Sequence, residues 1–297
     1  MKHLLPLLLV TGCVIGANSS PRPSELEPDW FVDRPRVLAV RADPPEARPG
    51  DLVTFSALIP QPGVDPYAVI WLACPPVDDS GSGFGCSIPA DLDLEGATPA
   101  ELAALGLIGF EPGLPPAYTV PADALEGLSD ADRLEGSYTL IQVSALPQAY
   151  LDPETAPDEI DFNDVEAAYK RLVVSDAPTP NQNPEILAFT VDGLRVPNDA
   201  VLHVDSGQTY ELGALIPASS IESYSFVNSE GVTEERTEEP YLAWFATGGD
   251  LLESVTLVPY VEASWVAPAA GETGTVWAVL RDRRGGMSWI AQDWVAE

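Results

Sequence analysis

Residues 51–59 alternate in two phases, with Leu52, Thr54, Ser56 and Leu58 on one and Val53, Phe55, Ala57 and Ile59 on the other. A two-residue period rich in β-branched and aromatic side chains predicts a half-buried strand. The same phase returns at Tyr210, Leu212, Ala214 and Ile216, and the two segments align without a gap as "GDLVTFSALIP" (50–60) and "GQTYELGALIP" (207–217). Gly50 and Gly207 supply the leading turn, and Pro60 and Pro217 stand where ladder pairing must stop. Upstream, "RVLAVRADP" (36–44) parallels "EILAFTVDG" (185–193). Downstream, "VIWLAC" (69–74) parallels "LAWFAT" (242–247), which sets Trp71 over Trp244. Three blocks in one order predict a diverged duplication, with "DAPTPNQNP" (176–184) between the copies.

Each copy carries further strands. "TVWAVLRD" and "MSWIAQDWV" flank "RRGG", a Gly-containing connection suited to a β-hairpin. In the first copy, "SYTLIQVSA" (137–145) and "AYKRLVVS" (168–175) read as closing strands. The long stretch after Trp71 predicts an insertion over 75–135 with short helices. There Thr98, Pro99 and Glu101 form a capping box, and residues 122–134 form a second helical stretch interrupted by Gly127. Residues 147–166 hold seven acids, no bases and three prolines, which predicts a loop.

The order of a Trp in a middle strand, "WVAP" and then "VLRDRRGG" resembles the C-terminal half of PKD-like and other bacterial immunoglobulin-like domains. The resemblance spans about 60 residues of the second copy and concerns fold. It implies a mostly β chain of two tandem immunoglobulin-like β-sandwiches, the first (36–176) with a loop and short-helix insertion, then a linker (177–184) and the second sandwich (185–297).

The N-terminus adds an address. Lys2 and His3 precede Leu4–Val10, an apolar run far shorter than the roughly 20 residues that span a bilayer. Such a run suits a secretory signal. Val10-Thr11-Gly12-Cys13 resembles the bacterial lipobox, which implies a signal peptide over 1–12, lipidation of Cys13, and an anchor and tether over 13–35. The chain is then expected in the cell envelope as an outer-membrane lipoprotein, membrane-bound through its lipid. With Cys13 assigned, Cys74 and Cys86 remain, and an even remainder in an exported chain predicts a disulfide.

Charge narrows the partners. There are 46 acidic against 14 basic side chains, a net charge of −32, which repels phosphate backbones and argues against nucleic acid. The 30 prolines and 23 glycines favour short elements joined by turns.

Candidate chemistry is sparse. His203, in "AVLHVDSG", is the one histidine beyond His3, and no G-x-S-x-G accompanies it, so histidine-dependent hydrolysis is not expected. Calcium takes oxygen ligands from loop carboxylates. Its candidates are Asp158, Asp161, Asn163, Asp164 and Glu166, with Asp78 and Asp79 a second set; a plain solvated loop is the competing reading for both. Trp277, Trp289 and Trp294 alternate in the last hairpin, and an exposed pair among them is a candidate binding surface. Arg283 and Arg284 at its tip are a candidate patch for an anionic partner. The expected role is a non-catalytic interaction or spacer module meeting an envelope protein or glycan. The alternatives are a calcium-assisted glycan- or peptide-binding lipoprotein, and a hydrolase with its site in the 75–135 insertion.

Overall fold

The computed structural model describes residues 28–62, 66–74, 98, 101–102, 106–109, 114–152, 161, 164–228 and 231–297. Their strands build two tandem immunoglobulin-like sandwiches. The first has β1 (Ala39–Asp43), β3 (Leu52–Leu58) and β6 (Ala117–Thr119) in one sheet. Facing it, β2 (Glu46–Ala47), β8 (Glu166–Val174), β7 (Ser137–Pro147), β4 (Tyr67–Cys74) and β5 (Leu107–Gly109) form the other in that order. A short helix α1 (Asp130–Glu135) precedes β7.

In the second sandwich, one sheet runs in the order β10 (Leu194–Val196), β9 (Ala188–Val191), β12 (Thr209–Leu215), β18 (Ala263–Val266) and β16 (Asp250–Leu251). Its partner runs β11 (Leu202–Val204), β20 (Met287–Ala296), β19 (Thr273–Arg281), β15 (Tyr241–Ala246) and β17 (Val255–Leu257). A separate hairpin, β13 (Ser223–Val227) and β14 (Thr233–Thr237), rises between β12 and β15.

The duplication is visible in register. Ala39 faces Leu58 in the first copy and Ala188 faces Leu215 in the second, within matching antiparallel pairs. Parallel pairing of β2 with β8 repeats as β11 with β20. Val53 opposite Tyr118 repeats as Tyr210 opposite Trp265. Thus β5 and β6, which fall within the expected insertion, are framework strands equivalent to β17 and β18. Their three-residue lengths gave no period to read, so the inserted segment is shorter than 75–135.

Alternation fills the cores as expected. In the first, Val53, Phe55, Trp71, Ile141, Val143 and Leu172 meet between the sheets. In the second, Phe189, Leu212, Trp244, Trp265, Leu280 and Trp294 do so. The repeated Trp is buried in both copies, at 6% exposed for Trp71 and 0% for Trp244. The indole of Trp244 donates to Thr256 Oγ1 at 2.9 Å and that of Trp265 to the Gly248 carbonyl at 3.0 Å, which removes the cost of burying a polar N–H. The capping box forms, with the Thr98 N–H donating to Glu101 Oε2 at 2.8 Å and the Glu101 N–H to Thr98 Oγ1 at 3.3 Å. The second helical stretch is shorter than expected. Residues 122–127 are turns, Gly127 has φ +82°, and α1 starts only after Ser129, whose hydroxyl accepts from the Asp132 N–H.

Residues 28–38 are not a free tether. The Val32 N–H donates to the Ala246 carbonyl at 2.9 Å, and the Ala246 N–H donates to the Trp30 carbonyl at 3.0 Å. Phe31 thereby bridges in parallel to β15 of the second sandwich. Val32 and Leu38 then bury Trp277 on the outer face of that sheet, joined by Phe245 and by Leu58 of the first sandwich. This N-terminal strap therefore packs against both sandwiches before the chain enters β1.

Candidate functional site

Away from the two cores, a cluster of polar and charged side chains lies where the tip of the β19–β20 hairpin meets the first sandwich. The tip forms because Asp282 organises it. Its Oδ1 accepts the N–H groups of Arg284 (2.7 Å) and Gly285 (2.9 Å), and its Oδ2 accepts that of Gly286 (2.9 Å). Arg283 takes the left-handed conformation at φ +70° that this turn requires. A Cβ at Gly286 would collide with the Asp282 carboxylate, so only glycine closes the loop.

The residues between the copies supply the next layer. Asn181 Nδ2 donates to Asp282 Oδ2 at 2.8 Å, and its backbone N–H donates to Glu46 Oε2 at 2.7 Å. Glu46 also accepts from the Ser175 hydroxyl. Asn183 Nδ2 reaches the Ala42 carbonyl at 2.8 Å while its Oδ1 accepts the Met287 N–H at 3.0 Å. Asn181 is 1% exposed. The segment expected as a Pro/Asn-rich linker is therefore an interdomain seam, with Asn181 and Asn183 turned inward.

Arg284 occupies the centre. Its guanidinium lies 3.5 Å from Glu46 Oε2 on the first sandwich, 3.0 Å from Glu238 Oε1 and 3.4 Å from Glu222 Oε2. It also stacks 4.3 Å over the Tyr224 ring of the β13–β14 hairpin. From the first sandwich, Lys170 donates to the Gly285 carbonyl. Burial pulls the Lys170 ammonium down to about 8, partly countered by Asp282. Burial also pushes the Glu238 carboxyl up, with hydrogen bonding from the Glu222 N–H opposing it. A second seam contact runs from Arg281 Nη2 to the Leu38 carbonyl at 2.7 Å.

The expected surface patches are placed differently. Arg284 is a buried-side structural cation rather than an open anion contact, because three carboxylates surround it. Arg283 is half exposed, 5.6 Å from the Tyr241 ring centroid and 3.9 Å from Glu239. The candidate exposed tryptophan face does not form, and the competing reading of core or sheet packing holds for Trp277 and Trp294. Trp294 is 2% exposed, its ring tilted against that of Trp265 with centroids 5.6 Å apart in the core, and Trp277 is 8% exposed beneath the strap; Trp289 is half-buried. His203 lies on a strand surface with Nδ1 2.6 Å from a Glu297 carboxylate oxygen, both side chains 64% exposed.

Of the calcium candidates, Asp78, Asp79, Asp158 and Asn163 lie outside the described residues, as do Cys13 and Cys86. Asp161 and Asp164 are drawn together by Tyr150, whose hydroxyl donates to Asp164 Oδ2 at 2.6 Å and accepts the Asp161 N–H at 3.2 Å. Glu166 instead begins β8 and sits 3.7 Å from Arg34 of the strap. Among the described residues, no three His, Cys, Asp or Glu side chains gather as a metal centre. Cys74 is buried at the end of β4.

Sequence reading missed Glu46, Asn181, Glu222 and Glu238. One local signal existed for Lys170, which shares the inward phase of Leu172 and Val174 in β8.

No family model matches the chain, and no curated protein does. Among solved structures, the fibronectin(III)-like modules of Clostridium thermocellum CbhA align over 87% of this chain and 94% of theirs, at 9% identity and a TM-score of 0.24. The D0-D1 domain of intimin aligns over 87% and 98%, at 11% identity and a TM-score of 0.22. Murine CEACAM1b aligns over 86% and 98%, at 12% identity and a TM-score of 0.23. Scores this low carry no functional argument, and the chain's place among tandem immunoglobulin-like sandwiches rests on its own repeated strand order.

Proposed function

We propose that this chain is a non-catalytic protein of the bacterial envelope, held to a membrane by acyl chains on Cys13, whose two sandwiches act as one rigid interaction or spacer unit. The observation that carries the reading is the seam, where Arg284 of the second sandwich, Glu46 of the first and Asn181 between them are locked in one buried network. A module that must hold a partner or a distance gains from such rigidity, since little conformational entropy is then lost on engagement. The lipobox-like Val10–Cys13 and the net charge of −32 support an exported chain that avoids nucleic acid. Cys74, buried at the end of β4, is the described half of the link to Cys86 that an exported chain would form. Several acyl chains hold a protein firmly on a bilayer, whereas a single one does not.

The reading is tested by expressing the full chain in a bacterial envelope with labelled palmitate. The expected result is a labelled, membrane-fractionating protein cleaved before Cys13, with label and fractionation lost in Cys13→Ser. An unlabelled wild type that retains residues 1–12 would overturn the address. Capture of envelope proteins or glycans by the soluble chain starting after Cys13 then separates an interaction module from a passive spacer.

A further inference from the structure

We propose that the exposed edge of the second sandwich around β17 is the surface this chain turns to a lipid bilayer, so that the second sandwich, and not the first, stands next to the membrane. Leu252, Val255, Leu257 and Tyr260 fall within nine positions and are 54% to 80% exposed. Val255 and Leu257 leave β17 on one face, since Thr256 between them turns inward to the Trp244 indole. That face is the outer one. Val255 stands opposite Ala243 and Leu257 opposite Tyr241, and a bridge to Leu257 brings Tyr260 alongside. The one charge in this stretch is Glu253, whose carboxylate accepts the Ser264 N–H at 3.0 Å. On a chain of net charge −32, such an apolar patch marks a contact surface.

The N-terminal strap begins at the rim of this patch. β17 pairs with β15 from Tyr241 to Ala243, and the Trp244 N–H still donates to the Ser254 carbonyl at 2.9 Å. From there the strap takes over the same edge of β15, with the Ala246 N–H donating to the Trp30 carbonyl at 3.0 Å. Val32 then joins Phe245, which shares the outer face with Tyr241 and Ala243. Fourteen residues separate Cys13 from Pro28, so an anchor on Cys13 lies at most about 50 Å from this edge. The chain enters the first sandwich only after the strap. The tether therefore holds the second sandwich nearest the lipid, although the first precedes it in sequence.

Four side chains are too few to hold a membrane by themselves. A short tether raises the effective concentration of the bilayer at this edge to the order of millimolar, and a weak contact then suffices. Tyrosine and aliphatic side chains settle at the boundary between headgroups and acyl chains. At the rim, Arg283 beside the Tyr241 ring suits a lipid phosphate, whereas the exposed Glu239 and Glu262 repel an anionic surface. The patch therefore fits a zwitterionic headgroup. This assignment rests on the anchor proposed above for Cys13, which brings the patch to lipid.

The test joins the chain starting at Cys13 to a lipid thioester through that N-terminal cysteine and holds it on phosphatidylcholine vesicles. A share of the lipid carries a photoreactive diazirine in its headgroup, and adducts are mapped by mass spectrometry after illumination. Because the ligation supplies the anchor, the map reads the patch whether or not cells acylate Cys13, and the labelled-palmitate experiment alone decides the address. Adducts are expected within residues 252–260. Leu257→Ser combined with Tyr260→Ser removes exposed apolar surface outside both cores and is expected to lower them about fivefold or more. Leu194→Ser, equally exposed but on β10 of the other sheet, is expected to keep the wild-type map. Adducts concentrated on the first sandwich, or absent from 252–260, overturn the proposal. So does light scattering of the unanchored chain that shows a dimer lost in the double variant, since a second copy then covers the patch.

Discussion

Arg284 and Glu46 meet at 3.5 Å across the boundary between the two sandwiches, although they belong to different copies of the duplicated unit. This is the point where hairpin tip, interdomain segment and β2 converge.

Replacing Arg284 by Met leaves Glu46 and Glu238 buried without their cation. Removal of one partner from a buried ion pair costs about 3 kcal/mol or more. Urea unfolding is expected to show earlier loss of the seam and separate transitions for the two sandwiches. A single transition with an unchanged midpoint would rule out this role for Arg284.

Trp277 supplies an apolar contact between the copies, packed with Leu58 under Val32 and Leu38 of the strap. Trp277→Ala should cost about 3 kcal/mol, in the range of buried aromatic truncations. The strap should also become cleavable, so limited proteolysis is expected to nick residues 28–38 in the variant before the wild type. Equal cleavage of both would show that the strap is held by its hydrogen bonds to Ala246 alone.

Lys170 predicts an alkaline signature. Its folded value, about 8, lies below the 10.5 of a solvated lysine, because burial penalises the charge. The unfolded chain then binds more protons between those values, and stability rises with pH across the window. Relative to wild type, Lys170→Met should flatten the gain between pH 8 and pH 10 in urea unfolding. Parallel slopes in the two proteins would show that Lys170 stays charged in the fold.

Gly274 stands opposite Trp294 in the β19–β20 ladder, and a Cβ there would strike the Trp294 ring and Thr247 Oγ1. Gly274→Val overfills that corner and should destabilise by about 1–3 kcal/mol. Thermal unfolding checks it, and an unchanged midpoint would show that the corner has room for the side chain.

The strands of the repeat were legible because their signal is local. Val53, Phe55, Tyr210 and Leu212 keep a two-residue phase whatever surrounds them, and Trp71 and Trp244 fall in the same ladder position. The three-residue strands β5 and β6 were not legible, since so short a segment shows no period and gains its pairing from β4 and β3. The tryptophans of the last hairpin show the limit of alternation. It places Trp277 and Trp294 on opposite faces, yet does not say that a strap covers the outer one. Register aligns Trp277 with Gln142 of the first copy, so the two sheets differ in the side chain they present on the outer face at that position.

The amino-acid sequence by itself determined the duplication, the inward phases of its longer strands and the turn residues, because steric and hydrophobic preferences act over a few neighbouring positions. Only the tertiary structure decided what Arg284, Lys170 and Glu238 do. Glu46 and Asn181 lie 135 positions apart, and a charge in a strand or turn carries no mark of the distant carboxylate it will meet. Burial created that meaning by removing water from groups that would otherwise be indistinguishable from the rest of an acidic surface.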